Sequence, residues 1–140
     1  MEQLRTDADL TPERFIRLFA DFEFKLGEER QSPETFLAKR CGDCDDFACL
    51  AAQILGERKY TTRLVAVFMK EQTHVVCYVE EAHGYLDYNR RKECSPLQTT
   101  GGALKEIATA VAASFRTPWL YASEFTYDGR APRFGAILFR

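Results

Sequence analysis

Cys44 stands at the first turn of the helix that the run Gly42-Asp43-Cys44-Asp45-Asp46-Phe47 predicts. Backbone N–H groups at a helix start have no partner inside the helix, and the dipole is positive there. A thiolate at that position gains over a thiol. Asp43, Asp45 and Asp46 act against this by crowding negative charge around the sulfur. A nucleophilic Cys44 therefore needs a cationic partner, most naturally a histidine. The chain has two histidines. His83 lies in the polar turn 80–84, whereas His74 begins a predicted strand, which fixes the direction of its ring. Asp87, on the following strand, is the group to orient that ring. Such a set makes Cys44 a nucleophile, His74 its base and Asp87 the orienter of that base.

The elements that must hold these side chains are legible from hydrophobic period. The first ten residues read as a loose start. Thr11-Pro12 opens a helix carrying Phe15, Leu18, Phe19, Phe22 and Leu26, which Gly27 ends. Ser32-Pro33-Glu34 opens a short helix with Phe36 and Leu37. Asp43 is the expected cap of the cysteine helix, with Asp46 completing a capping box, and Gly56 closes that helix.

The period then changes to that of strands at 60–70, 74–80 and 85–89. A turn centred on Glu80-Glu81 pairs Val79 with Ala82 and sets His74 directly opposite Asp87. A turn two residues later keeps the shared face but slides the pair apart. Asn89 lies on the same face as a reserve orienter. Gly101-Gly102 precedes a helix with Leu104, Ile107, Val111 and Phe115 on one side. Strands at 119–127 and 134–139 flank a turn at Asp128-Gly129. Helices followed by a largely antiparallel sheet predict the α+β class.

The chain has 140 residues, 46% of them hydrophobic, which fits one domain over 1–140. Its 19 basic and 21 acidic residues leave a formal net charge of −2, which argues against nonspecific binding to nucleic acid. With 13% aromatic residues the composition is core-forming rather than disordered. The polar residues 1–7 lack the apolar stretch of a signal peptide, and no apolar run suits a membrane span. Five cysteines at irregular spacing are then expected as reduced thiols in a cytoplasmic protein. Oligomeric state is not set by these features.

The run Gly42-Asp43-Cys44-Asp45-Asp46-Phe47-Ala48 resembles the nucleophile motif of the transglutaminase-like superfamily, a papain-like group that includes bacterial transglutaminase-like cysteine proteases. Thr73-His74-Val75-Val76 and Tyr85-Leu86-Asp87-Tyr88 match its histidine and aspartate segments in the family's order. The resemblance is strongest over residues 32–90. Residues from Cys94 onward match nothing in the pattern; the backbone N–H of Cys44 is one candidate oxyanion donor, and no residue is assigned as the family's auxiliary oxyanion side chain. The resemblance implies a papain-like core with N-terminal helices on an antiparallel sheet. It also implies a catalytic triad of Cys44, His74 and Asp87, a thioester intermediate and a peptide, protein or small-amide substrate. Hydrolysis by water or transfer to an amine would resolve the thioester. No metal or organic cofactor is implied.

Rival readings attach to the same residues. Cys41-Gly42-Asp43-Cys44 is also a C-x-x-C, the motif of thiol–disulfide redox proteins, although a helix rather than a core strand is predicted before it. Oxidation of Cys41 with Cys44 would silence the nucleophile. Cys41, Cys44, His74 and Cys77 are zinc-ligand types, but Cys77 faces away from His74 by strand alternation. Cys49 and Cys94 read as incidental. A noncatalytic module that kept the fold is a third class, and it predicts an unreactive Cys44. Arg90-Arg91-Lys92 reads as a solvated charge run that would attract acidic substrates.

Overall fold

The structure is a computed structural model that describes residues 1–127 and 131–140. The turn expected at Asp128-Gly129 lies outside the described residues. The chain is mixed helix and strand, as the α+β expectation requires. Two short helices, α1 (Glu2–Thr6) and α2 (Pro12–Arg17), precede strand β1 (Glu23–Phe24), helix α3 (Pro33–Lys39) and strand β2 (Cys41–Gly42). Helix α4 (Cys44–Glu57) leads to strands β3 (Thr62–Met69), β4 (Thr73–Val79) and β5 (Gly84–Leu86). Strand β6 (Leu97–Thr99), helix α5 (Leu104–Ser114) and strands β7 (Trp119–Tyr127) and β8 (Pro132–Phe139) follow.

One antiparallel six-stranded sheet, in the order β6-β5-β4-β3-β7-β8, forms the middle of the molecule. Strand alternation gives it two apolar faces. Leu64, Ala66, Cys77 and Val79 meet α4 and the N-terminal helices on one face. Val65, Val67, Val76 and Tyr78 meet Ile107, Ala108 and Val111 of α5 on the other. The N-terminal helices pack on the sheet as expected, and α5 adds a layer behind it. Strand β8 is an open edge, exposed along its length.

Several elements differ from their sequence patterns for identifiable reasons. The first ten residues are not loose: α1 docks through buried Leu4, and Leu10 is buried beyond it. Thr11 and Pro12 start α2 as expected, with the Thr11 side chain accepting from the Arg14 N–H. The helix stops at Arg17 rather than running to Leu26, because residues 23–24 are drawn into parallel pairing with Cys41–Gly42. Phe19 and Phe22 stay buried through successive tight turns, while Leu18 and Leu26 face solvent. Phe15, Phe19, Phe22, Phe36, Phe47 and Tyr88 form one aromatic cluster with neighbouring ring centroids 4.7–5.9 Å apart. Burial of each ring stabilises by about 1.5–3 kcal/mol, and the cluster ties α2 and α3 to the cysteine helix.

The β4–β5 register lies between the two alternatives, with the turn centred one residue later than Glu80-Glu81. A 3-10 turn at Glu80–Ala82, followed by His83 in the left-handed region (φ 49°), pairs Val79 with Gly84 instead of Ala82. Gly84 is required there, since a Cβ would lie 2.5 Å from the Gln98 carbonyl oxygen on β6. His74 and Asp87 therefore share a face but are not directly opposite. Strand β5 also stops at Leu86 rather than Asn89. Asp87 caps a second 3-10 turn, Tyr88–Arg90, and turns the chain away from the sheet. Arg91 corrects the solvated-run reading: it is buried, donating to the carbonyls of Phe22 and Tyr88, with its guanidinium 4.0 Å from the Tyr88 ring centroid.

Candidate active site

Thr62 Oγ1 donates to the Ala52 carbonyl at 3.4 Å, so the later half of α4 lies near the start of β3. The N-terminus of α4 points to the opposite end of the sheet, where β3 ends and β4 begins. Cys44 is the first residue of α4, and His74 is the second residue of β4. By alternation His74 faces the α5 side, whereas α4 packs on the other. The two meet at the sheet end because β5 has already left the sheet at Leu86. Cys44 is near enough to the His74 ring to act on its charge state.

On its other side the ring meets Asp87, with Nε2 2.7 Å from Asp87 Oδ1. The diagonal register permits this contact, since side chains two residues out of register remain within reach across a strand pair. Both groups are buried, with side chains 4% and 1% exposed, so little water screens the interaction. The Asn89 N–H donates to the same Oδ1 at 2.9 Å, fixing the carboxylate through the 3-10 turn. Asn89, the reserve orienter, thus acts on Asp87 through its backbone.

Burial is the largest influence on His74 and by itself would favour the neutral ring. Hydrogen bonds to Asp87 and Cys44 and the charges of both partners outweigh it, and the ring is pushed up to about 10. It holds its proton through neutral pH.

The loop before Cys44 is braced by a residue that no spacing rule singles out. Gln31 donates its backbone N–H to Asp46 Oδ1 at 2.6 Å. Its side-chain amide donates to Asp46 Oδ2 at 3.0 Å and to the Cys41 carbonyl at 2.9 Å. Both amide hydrogens are thereby engaged in holding residues 41–46. The expected capping box is present, with Asp43 accepting from Asp46 N–H and Asp46 from Asp43 N–H. Asp43 and Asp46 thus spend their lone pairs on N–H donors. Burial holds Asp43 and Asp45 above the usual carboxylate range, which softens the negative field at the sulfur. The N–H groups of Cys44 and Asp45 have no acceptor among the described residues.

The family is decided by comparison with known sequences. A family model described as a transglutaminase-like domain matches residues 6–91. The chain belongs to the transglutaminase-like family. No curated protein matches it. The match includes Cys44, His74 and Asp87 and reaches further toward the N-terminus than the resemblance at 32–90, taking in α2 and its aromatic cluster. Transglutaminase-like domains form a family of cysteine-dependent acyl enzymes.

The other four cysteines have settings different from that of Cys44. Cys77 is fully buried on the α4 face, where desolvation pushes its thiol up to about 12. Cys49 is raised by burial and then by Asp45, to which its thiol donates. Cys94 is exposed. Cys41 lies on the two-residue β2 rather than on a core strand. Among the described residues no three His, Cys, Asp or Glu side chains form a group suited to a metal ion. Among the described residues no helix is long and apolar enough to cross a membrane.

Phe115 is the neighbour of His74 that the helical pattern could not reveal. It caps α5, outside the matched segment, and its ring stands edge-on to the imidazole with centroids 4.9 Å apart. Periodicity marks it only as one more apolar residue. Truncation to alanine opens a wall of the histidine pocket to water and loosens the ring. Phe115→Ala is expected to lower the Cys44 alkylation rate about tenfold, with Phe115→Leu recovering part of it. Unchanged rates in the folded Ala variant would remove Phe115 from the site.

Proposed function

We propose that this chain is a cysteine-dependent acyl enzyme in which Cys44 is the nucleophile, His74 the base and acid, and Asp87 the orienting carboxylate. The observation that carries the reading is the buried His74–Asp87 hydrogen bond beside a cysteine at a helix N-terminus. The proton of the Cys44–His74 pair already rests on His74, and the thiolate sulfur attacks an amide carbonyl carbon. The oxyanion that forms is met by the free N–H groups of Cys44 and Asp45. The C–N bond breaks as His74 returns its proton to the departing amine, leaving a thioester. Water then attacks the thioester with His74 as base, releasing a carboxylic acid and restoring the thiol.

Peptidase or amidase activity is the preferred branch, since water is always present to resolve a thioester. Amine transfer is the near alternative and needs an acceptor that outcompetes water. The substrate is a peptide, a protein or a small amide, and the chemistry calls for no cofactor. A cytoplasmic location keeps the thiols reduced.

Iodoacetamide labelling read by mass spectrometry tests the assignment. An ordinary thiol titrates near ~8.5, so labelling at about pH 6 is slow without activation. Cys44 is expected to label ahead of the other four cysteines at that pH, and His74→Ala is expected to abolish the preference. Labelling that ignores His74 would overturn the reading and favour the C-x-x-C redox or noncatalytic alternatives.

A further inference from the structure

A cavity of about 790 Å³ lies between α4 and the β7–β8 pair, and none of Cys44, His74 and Asp87 lines it. Its size falls within the ~300–1,000 Å³ typical of ligand pockets. Leu64, Phe125 and Phe134 give it an apolar floor, while Gln53 and Thr126 offer hydrogen-bonding groups on its two walls. Arg30 enters from the loop before α3. Its guanidinium carbon sits 3.9 Å from the Tyr127 ring centroid, and its buried Nε has no hydrogen-bond partner. Arg63, also in the lining, is already engaged by Glu124 and by the Gly102 carbonyl. Arg30 makes no ion pair among the described residues. Its charge reaches Asp45 only as a weak influence against burial.

A guanidinium stacked on an aromatic ring is held flat, with its donors pre-aimed for a planar, bidentate acceptor. A partly buried arginine without a carboxylate is also an unmet charge, so a carboxylate brought to it gains a charge-assisted partner. We propose that this cavity binds an extended peptide segment that places an acidic side chain on Arg30 and an apolar or aromatic side chain on the Leu64–Phe125–Phe134 floor. The polar groups on both walls favour a peptide, with its repeated amides, over a small apolar acid. The binding is independent of Cys44 chemistry and does not rest on the acyl-enzyme reading.

Calorimetry on the full chain carrying Cys44→Ser separates the two. The probes are blocked tripeptides, acetyl-Leu-Glu-Phe-amide and its Gln counterpart, with 3-phenylpropionate as the small carboxylate. The Glu peptide is expected to saturate in the low-millimolar range or below, about tenfold tighter than the Gln peptide. Arg30→Gln is expected to erase the preference, and Arg30→Lys to keep part of it. Thermal melts establish that the variants are folded; if Arg30→Gln is not, the Glu/Gln ratio and its weakening by added salt decide within the Cys44→Ser chain. Equal affinity for both peptides, a preference that survives Arg30→Gln, saturation by phenylpropionate alone, or no saturation by the Glu peptide would each overturn the proposal.

Discussion

His74→Ala is expected to lower Cys44-dependent amide turnover by about 10²–10⁴-fold, the usual contribution of a positioned general acid–base group. The loss should be accompanied by a changed pH profile. In the intact chain the ring is raised to about 10, so its protonated form persists through neutral pH. Turnover that needs His74 to protonate the leaving amine should hold through neutral pH and decline as pH rises through about 10. In His74→Ala that alkaline decline should be absent from the residual rate.

The same substitution has a stability signature. A group raised from its ordinary 6.5 to about 10 on folding contributes stability that is full below about pH 6.5 and is lost as pH rises through about 10. The stability gap between the parent chain and His74→Ala, measured by urea unfolding, should be widest on the acid side and narrow toward about pH 10. Removing His74 also leaves Asp87 buried with the Asn89 N–H on Oδ1 and no partner on Oδ2. A pH-independent cost should therefore remain. A flat gap with no remaining cost would show that the imidazole and Asp87 do not form a charged pair.

Gly42→Ala is expected to have the second large effect, through geometry alone. A Cβ at position 42 would lie 2.6 Å from Asp46 Oδ2, 2.7 Å from Phe36 Cδ1 and 2.8 Å from Gln31 Nε2. Phe36 is fully buried in the aromatic cluster, and the other two atoms belong to the hydrogen bonds that hold the cysteine loop. The methyl group must displace either a core ring or the Gln31–Asp46 brace. Overpacking of this kind costs about 1–3 kcal/mol, which for a domain of this size lowers Tm by roughly 3–10 °C. Cys44 is two residues away, so its alkylation at about pH 6 should slow as well. An unchanged melting temperature with normal labelling would mean that the loop accommodates the methyl group without moving the brace.

Local signals account for the parts of the fold that the sequence makes legible. The Asp43 cap, the Thr11-Pro12 start and the Ser32-Pro33 start are satisfied by side-chain oxygens within three residues, so nothing distant is needed to form them. The strands at 62–69, 73–79 and 119–127 follow from β-branched and aromatic runs. The pattern of 15–26 misleads because Phe15, Phe19 and Phe22 are spaced for a helix, yet residues 23–24 pair with β2, a partner 18 residues away. Arg91 misleads in the same way, since a charge run says nothing of the two carbonyls that wait for one of its members.

Residue type and order alone determined that Cys44 opens a helix, that His74 begins a strand, and that His74 and Asp87 share a sheet face, because capping and two-residue alternation are local rules. The tertiary structure decided the rest. It set the β4–β5 register, which depends on a left-handed His83 and the close approach of β6 to Gly84. The early departure of β5 opens the sheet end where a cysteine from one layer reaches a histidine facing the other. It also assembled Gln31, Phe115 and Arg30, each far in sequence from the groups it serves. Their placement comes from chain packing at a distance, and no short-range period or motif encodes it.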